Sequence, residues 1–248
     1  MEDNCIKIAQ VSDLHLTSEN CETSRGRYSN AMNVFSAISL SGQHDMIFIT
    51  GDISDDYTEN SYKQLLEMLK KLTCRVFVIP GNHDDVNLMN KIIPEKYLFS
   101  PETVTSFNTF DFLFVNTVVN GEIHGLLTDQ DLSLLQNHLE NSGNKKKCII
   151  MHHNPIPLNR KIYDKYMLLN YQDFLRIICL YDNVKLVIFG HVHNDYTISY
   201  RQTLFSSAPA TCYQIKKFES DIIIEEKYGY KNYFLFEKFI ETNCICIK

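Results

Sequence analysis

The chain is short of three things, and each shortage narrows what it can be. No apolar run among its 248 residues approaches the ~18 that a membrane-spanning helix needs, which speaks against an integral membrane protein. Basic residues are outnumbered, 24 Lys and Arg against 30 Asp and Glu. The resulting net charge of -6 argues against a broad nucleic-acid footprint, which needs a basic face. An anionic small molecule is not excluded, because bound cations would dominate the local field. Finally, no C-x-x-C pair occurs among the eight cysteines, Cys5, Cys21, Cys74, Cys148, Cys179, Cys212, Cys244 and Cys246. Reduced thiols acting as small hydrophobes are the expectation for them. Cys244 and Cys246 fit alternation in a final strand better than a soft metal clip. The first residues, Met1-Glu2-Asp3-Asn4, are acidic where a secretory signal would be basic. A soluble, cytoplasmic protein without stable membrane association is therefore expected.

What is present suits a globular core: 44% of the residues are hydrophobic and 22% charged. There is no internal repeat, linker or low-complexity block, so one domain over 1–248 is expected. Five short apolar runs each end in residues that bind metals. Ile6 to Val11 runs into Asp13 and His15, and Met46 to Ile49 into Gly51-Asp52. Val76 to Ile79 runs through Pro80 into Gly81-Asn82-His83-Asp84. Cys148 to Ile150 leads to Met151-His152-His153, and Leu186 to Phe189 to Gly190-His191-Val192-His193. Such runs between breakers predict buried strands, and ligands of such sheets gather at the carboxyl ends of the strands.

Helical periods separate the runs. Tyr62, Leu65, Leu66 and Leu69 share one face of a helix that continues to Leu72, and Phe174, Ile177, Ile178 and Tyr181 share another. Thr128 to Asp131 is a capping-box start for a helix carrying Leu132, Leu135 and Leu139. A further helix is predicted from Tyr28 to Ile38. The alternation points to an α/β sheet covered by helices. Thr103 to Val119 predicts a hairpin, and the strand-like segments after Gln202 predict a second sheet packed on the first. Lys145-Lys146-Lys147 reads as a solvated turn, with phosphate contact as the lesser alternative.

Carboxylate, imidazole and amide ligands suit Fe, Mn, Zn or Co, and the lack of thiolates argues against a structural zinc site. Asp13-x-His15 and His191-x-His193 each space two side chains by two residues, which extended backbone points the same way. Gly51 permits a tight turn before Asp52, a carboxylate placed to bridge two ions. Two ions ~3.5–4 Å apart can clamp an in-line displacement at phosphorus.

In this order, D-x-H, G-D, G-N-H-D, H and G-H-x-H resemble the calcineurin-like metallophosphoesterases, with no ligand position departing from the pattern. The resemblance runs from Asp13 to His193. It implies the metallo-dependent phosphatase fold, a four-layer αββα sandwich of two mixed sheets flanked by helices, with residues 200–248 completing the second sheet. It implies one metal held by Asp13, His15, Asp52 and His193, and another by Asp52, Asn82, His152 and His191. His153 is then second to the ligands or faces substrate. His83 would contact the phosphate and assist the departing alkoxide, and Asp84 would fix its tautomer.

Thr50 to Asp56, Pro80 to Asp85, Gly121 to Gly125, Met151 to Pro157 and Ser207 to Gln214 look like the bacterial class III cyclic-nucleotide phosphodiesterases of the CpdA or Icc type, as does Tyr228-Gly229-Tyr230. That likeness implies hydrolysis of 3′,5′-cyclic AMP to 5′-AMP by in-line attack of a metal-bridging hydroxide. Asn82, His83 and His124 would bind substrate, and relatives suggest a homodimer. Thr211 and Cys212 either line the nucleoside side or begin a strand after Pro209. A 2′,3′-cyclic or broad phosphodiesterase is the nearest rival reading, and a dead metal-binding scaffold a remote one.

Overall fold

Alternation along the strands decides the layering. In β1 (Ile6–Val11), Ile6 and Ile8 enter one buried cluster while Ala9 and Val11 enter another, as the two-residue period of an extended chain requires. β2 (Met46–Thr50) and β3 (Arg75–Ile79) divide in the same way. Met46, Phe48 and Ile79 face the first cluster, and Ile47, Ile49, Val76 and Val78 the second. That second cluster is closed by α1 (Arg27–Leu40), α2 (Glu59–Leu69) and α3 (Val86–Ile92), through Val34, Phe35, Leu65, Leu69 and Met89. The structure, a computed structural model, describes residues 5–18, 26–42, 44–141, 143–217 and 221–247. Cys21 and the four acidic-leaning first residues lie outside them.

Next come β4 (Val104–Phe107) and β5 (Phe110–Phe114), the predicted hairpin, then α4 (Asp129–Asn141) and β6 (Lys146–Ile150). Thr128 and Asp131 do form a reciprocal box, each accepting the other's N–H, at 3.2 and 2.8 Å. The chain continues through α5 (Lys161–Asp164), α6 (Tyr171–Ile178), β7 (Val184–Phe189), β8 (Tyr196–Tyr200) and β9 (Thr203–Ser207). A short pair, β10 (Gln214–Ile215) and β11 (Ile224–Glu225), precedes β12 (Tyr228–Leu235) and β13 (Ile240–Ile247).

Two mixed sheets result, ordered β13-β12-β1-β2-β3 and β4-β5-β6-β7-β9-β8. The strands β1, β2 and β3 are parallel, as are β5, β6, β7 and β9, so their carboxyl ends share a rim. Ile6, Ile8 and Phe48 pack across the interface against Phe110, Phe112, Phe114 and Ile188. Leu135, Leu139, Phe174 and Ile178 cover the far face of the second sheet. The four layers are therefore helices, sheet, sheet and helices, as expected.

Two polar ties cross between the sheets. Gln10 of β1 donates to Thr50 Oγ1 at 2.9 Å and to the Phe189 carbonyl at 2.8 Å, while the Tyr233 hydroxyl donates to Gln10 Oε1 at 2.6 Å. Lys231 of β12 is buried and donates to Asp195, to Thr197 Oγ1 at 2.7 Å and to the Ser207 carbonyl. Buried polar groups so fully paired fix one register rather than many.

One expectation is overturned. Residues 200–248 do not complete the second sheet: β9 joins it, but β12 and β13 return to the first sheet beside β1. Burial explains the choice. β12 is buried along nearly its whole length, so it needs a neighbour on each side, whereas the alternating, half-exposed β13 can stand at an edge. The lysine run divides as well. Lys147 is fully buried on Asp111 at 2.6 Å and Lys146 opens β6 half-buried, so only Lys145, exposed and 3.8 Å from the same carboxylate, fits a solvated turn. No helix among the described residues is long and apolar enough to cross a membrane.

Phe48 lies at the centre of the intersheet layer, its ring centroid 5.6 Å from that of Phe112 and 5.7 Å from Phe114. Phe48→Ala is expected to cost ~3–5 kcal/mol of unfolding free energy, read as a lowered midpoint in urea denaturation.

Candidate metal centre and active site

Past the rim the strands keep bonding to one another as they turn. Asp13 N–H donates to the Gly51 carbonyl at 3.1 Å, His15 N–H to the Asp52 carbonyl at 2.9 Å, and Gly190 N–H to the His152 carbonyl at 2.9 Å. The loops are thus continuations of the ladders, which gives their side chains fixed positions. The backbone there is not extended, as the two-residue spacing had suggested. Asp13, His15, Asp52, His191 and His193 have φ of 52, 46, 53, 69 and 54°, in the left-handed region. Each chain leaves its strand through a tight corner, and the corner rather than the pleat brings both members of D-x-H and H-x-H inward. Residues held in this region cost of order 1–3 kcal/mol each and cluster at functional sites.

Asp13, His15, Asp52 and His193 converge, with one ligand atom from each lying within 4.8 Å of the others. His15 Nε2 is 3.5 Å from Asp52 Oδ2 and 3.1 Å from His193 Nε2, which is 3.8 Å from Asp13 Oδ1. The far nitrogens are already engaged, His15 Nδ1 on Asp55 Oδ1 at 2.9 Å and His193 Nδ1 on the Tyr213 carbonyl at 3.1 Å. Such outer partners fix the tautomer and leave the inner nitrogen with a lone pair. Asn82, His152 and His191 form a second set around the other oxygen of Asp52. His152 Nε2 lies 3.4 Å from Asp52 Oδ1 and 3.1 Å from Asn82 Oδ1, and His191 Nδ1 lies 2.9 Å from the same amide oxygen. His152 Nδ1 donates to the Thr50 carbonyl at 2.7 Å. All seven expected ligands are brought together, and Asp52 faces both sets.

Glycine is required beside that carboxylate. Gly51 turns at φ 90°, and a Cβ on Gly81 would stand 2.2 Å from Asp52 Oδ1. Neither position tolerates a side chain.

Lone pairs crowd this site without enough protons to share. Asp13 Oδ2 is buried and accepts no hydrogen bond, and burial pushes the Asp13 carboxyl up to about 6. The inner nitrogens of His15 and His193 face each other at 3.1 Å, each with its lone pair turned inward. Burial pushes His191 down to about 3 and His193 down to about 4. His152 is pulled the other way, to about 9, because Asp52 and Asp13 more than offset its burial. Asp52 stays well below the carboxylate range despite burial, with His152 and His15 beside it. Bound cations would satisfy these groups, so the oxygen and nitrogen donors fit divalent or transition metal ions. Cys212 Sγ lies 4.0 Å from His193 Nδ1, the nitrogen that faces Tyr213, and burial pushes its thiol well up.

His83 borders the cluster half-exposed, its ring 4.8 Å from that of His15 and its peptide N–H donated to Asp52 Oδ1 at 2.9 Å. Asp84 does not hold it. The Asp84 carboxylate instead accepts N–H groups of Ile53, Ser54 and Gly81 at 3.1, 3.1 and 2.9 Å, and the Tyr62 hydroxyl at 3.2 Å. It clamps the loops after β2 and β3 together, a task that uses all its lone pairs. The carboxylate at His83 Nδ1 is Asp55, 3.4 Å away, and it raises the imidazole's pKa against the effect of burial. Asp55 also takes His15 Nδ1 and Arg27 Nη1, the latter at 2.5 Å, and these bonds hold it far below the carboxylate range despite partial burial. Its signal in the sequence was faint: one of three acids just past β2, with nothing to separate it from Asp56.

The remaining expectations resolve as follows. Both His153 nitrogens are spent, Nδ1 on Thr117 Oγ1 at 2.7 Å and Nε2 on the Ile123 carbonyl at 3.1 Å. His153 thus pins the loop after β5, and burial keeps it neutral. His124 sits 3.6 Å from Glu122 at the end of that loop, with no hydrogen bond to the ligand cluster among the described residues. Thr211 and Cys212 neither start a strand nor line an open surface. They are buried, and their N–H groups donate to the carbonyls of Ser12 and Asp13 at 2.9 and 3.1 Å, backing the ligand loop.

Comparison with known proteins places this geometry. The sequence profile of the calcineurin-like phosphoesterase family matches residues 6–195. A Coxiella burnetii protein named a probable cyclic nucleotide phosphodiesterase is 99% identical over the full length of both chains. The 3′,5′-cyclic adenosine monophosphate phosphodiesterase of Vibrio vulnificus is 28% identical over 91% of this chain and 83% of its own. Among solved structures, a dimetal phosphatase from Danio rerio has the same fold, with a TM-score of 0.68 at 13% identity over 94% of this chain and 93% of its own.

Chelator-treated protein is expected to take up two Mn²⁺ per chain and to melt higher when loaded. Free ion at a hundred times its dissociation constant adds ~2.7 kcal/mol per site. Asp52→Asn should lower both uptake and the melting shift, checked by elemental analysis beside calorimetry.

Proposed function

From the premise that the chain belongs to the calcineurin-like phosphoesterases, we propose that it is a cyclic-nucleotide phosphodiesterase opening 3′,5′-cyclic AMP to 5′-AMP at a dinuclear centre. The observation that carries the reading is the double facing of Asp52, with one oxygen toward His15 and the other toward His152. A carboxylate so placed suits a bridge between two ions held by Asp13, His15, Asp52 and His193, and by Asp52, Asn82, His152 and His191. When bound, such a pair supplies a water of lowered pKa and neutralises charge at phosphorus; Fe, Mn and Zn all suit the donors. The named relatives support the cyclic-nucleotide class, and the Vibrio vulnificus protein supports 3′,5′-cyclic AMP within it.

The chain's own groups do the rest. Asn82 turns its oxygen inward toward the ligand nitrogens, which leaves its N–H₂ to hold a phosphate oxygen. His83 spends Nδ1 on Asp55, so Nε2 is the atom that can reach substrate. Asp55 favours the charged imidazole, the form that can give a proton to the departing 3′-oxygen. Water adds to phosphorus and releases one proton, the P–O3′ bond breaks, and the imidazolium proton completes the 3′-hydroxyl. The proton released by water restores the imidazolium in the overall balance. Arg27 and Asp55 hold His15 and His83 in one frame, so the nitrogen that faces metal and the nitrogen that faces substrate keep a fixed separation.

Mn²⁺-loaded protein is expected to hydrolyse 3′,5′-cyclic AMP with higher kcat/KM than 2′,3′-cyclic AMP or bis(p-nitrophenyl) phosphate in a side-by-side assay. Hydrolysis of the artificial diester alone would keep the two-metal reading and remove the substrate. His83→Ala should retain its metal and lose ~10²–10⁴-fold in kcat; loss of metal in that variant would overturn the division of labour.

A further inference from the structure

One strained residue beside the site has no task in the chemistry above. Among the described residues nine that are not glycine have positive φ, and five of them are the candidate metal ligands already described. Tyr57, at φ 56°, is the one phenylalanine, tyrosine or tryptophan of the nine. A bulky side chain in that region is an outlier that the surroundings must enforce. They do so here from both sides. The Tyr57 N–H donates to Ser54 Oγ at 3.0 Å, and the next residue, Thr58, caps α2 while donating to Asp56 Oδ1 at 2.9 Å. This effort does not bury the ring, which stays 56% exposed.

What the ring gains is a place on the wall of a cleft. Tyr57, Asn82 and His83 line a space of about 690 Å³ together with Val118, Val119 and Ile123 from the loop after β5. That volume suits a small organic ligand. The loop is held in place by His153, which bonds both Thr117 and the Ile123 carbonyl. A ligand whose phosphorus is held at Asn82 and His83 has to lay the rest of its length along this cleft. An aromatic ring on one side and apolar side chains of the loop after β5 offer a slot for a flat heteroaromatic group.

Building on the cyclic-nucleotide reading, we infer that Tyr57 is the stacking platform for the nucleobase of the substrate. Its left-handed backbone is the strain that presents the ring. A platform of this kind acts on any base, since each has a π face, and purines gain most because they are larger. Tyr57 therefore sets affinity for the nucleoside part without touching phosphorus.

The test compares wild type, Tyr57→Gly, Tyr57→Ala and Tyr57→Phe, all loaded with Mn²⁺. Glycine adopts φ 56° freely, so Tyr57→Gly is expected to melt higher than wild type. Its KM for 3′,5′-cyclic AMP and its Ki for 5′-AMP should nevertheless rise about tenfold, the change that ~1.4 kcal/mol of base stacking supplies. Tyr57→Ala should show the same losses, Tyr57→Phe should restore both constants, and the Ki for inorganic phosphate should stay at the wild-type value throughout. Unchanged KM and 5′-AMP Ki in the glycine and alanine variants would overturn the platform. So would a parallel rise in the phosphate Ki, which would make Tyr57 a support for the ligand loop. Should wild type leave every cyclic nucleotide intact, the proposed activity fails by itself. A Tyr57-dependent gap between 5′-AMP and ribose 5-phosphate binding would then still support the platform, and no gap would overturn it.

Discussion

Asp52 has to face two ways, and much of the surrounding structure follows from that demand. Its two oxygens reach separate sets of imidazoles only because the chain at Gly51 and Asp52 turns through left-handed geometry twice in succession. The turn leaves no room beside it, so Gly81 must lack a side chain. It also leaves peptide N–H groups unpaired, and Asp84 accepts those of Ile53, Ser54 and Gly81. Buried donors without such a partner would cost ~1–3 kcal/mol each. The sheet contributes by placing β2 between β1 and β3, so that the corner after β2 is flanked on both sides by strands that turn with it.

Charge is balanced locally rather than across the molecule. Asp13, Asp52 and Asp84 are buried within a small volume, and no lysine or arginine among the described residues pairs with them. Arg27, which donates to the His15 carbonyl at 3.0 Å, is committed to Asp55. A protein of net charge -6 can still attract an anionic substrate if cations sit at this point, because field at short range depends on the nearest charges. The acidic balance of the chain and an anionic ligand are thus compatible.

The strands and the meeting of the candidate ligands at their ends were legible in the sequence because both obey short-range rules. Short apolar runs of three to six residues between breakers read as interior strands in a chain of this composition, and a ligand directly after such a run is carried to the rim. Helix faces at Tyr62 and Phe174 were equally plain, since a 3.6-residue period survives any topology. What failed was long-range. Nothing local says that β12 lies beside β1 rather than β9; that depends on which edge still needs a partner. Asp84 adjoins His83 in sequence, yet its carboxylate takes peptide N–H groups of two loops, and Asp55, one strand away, meets the imidazole. Spacing by two suggested extended backbone at D-x-H and H-x-H, but the same spacing is met by a corner, and only φ distinguishes them. Thr211 and Cys212 were invisible as buttresses because a peptide N–H carries no sequence signal.

The pairing of β1 with β12 joins Ile6 to Leu235. During synthesis, β1, β2 and β3 can associate early, but β1 keeps a bare edge until a ribosome has passed residue 235. The Thr211 and Cys212 peptides that back the Asp13 loop arrive almost as late. A nascent chain therefore carries Asp13, His15 and Asp52 for most of its elongation on a half-built support with an open edge, the state most prone to mispairing with other strands. Maturation of the centre is thus timed by the final fifth of the chain rather than by the segments that supply its ligands.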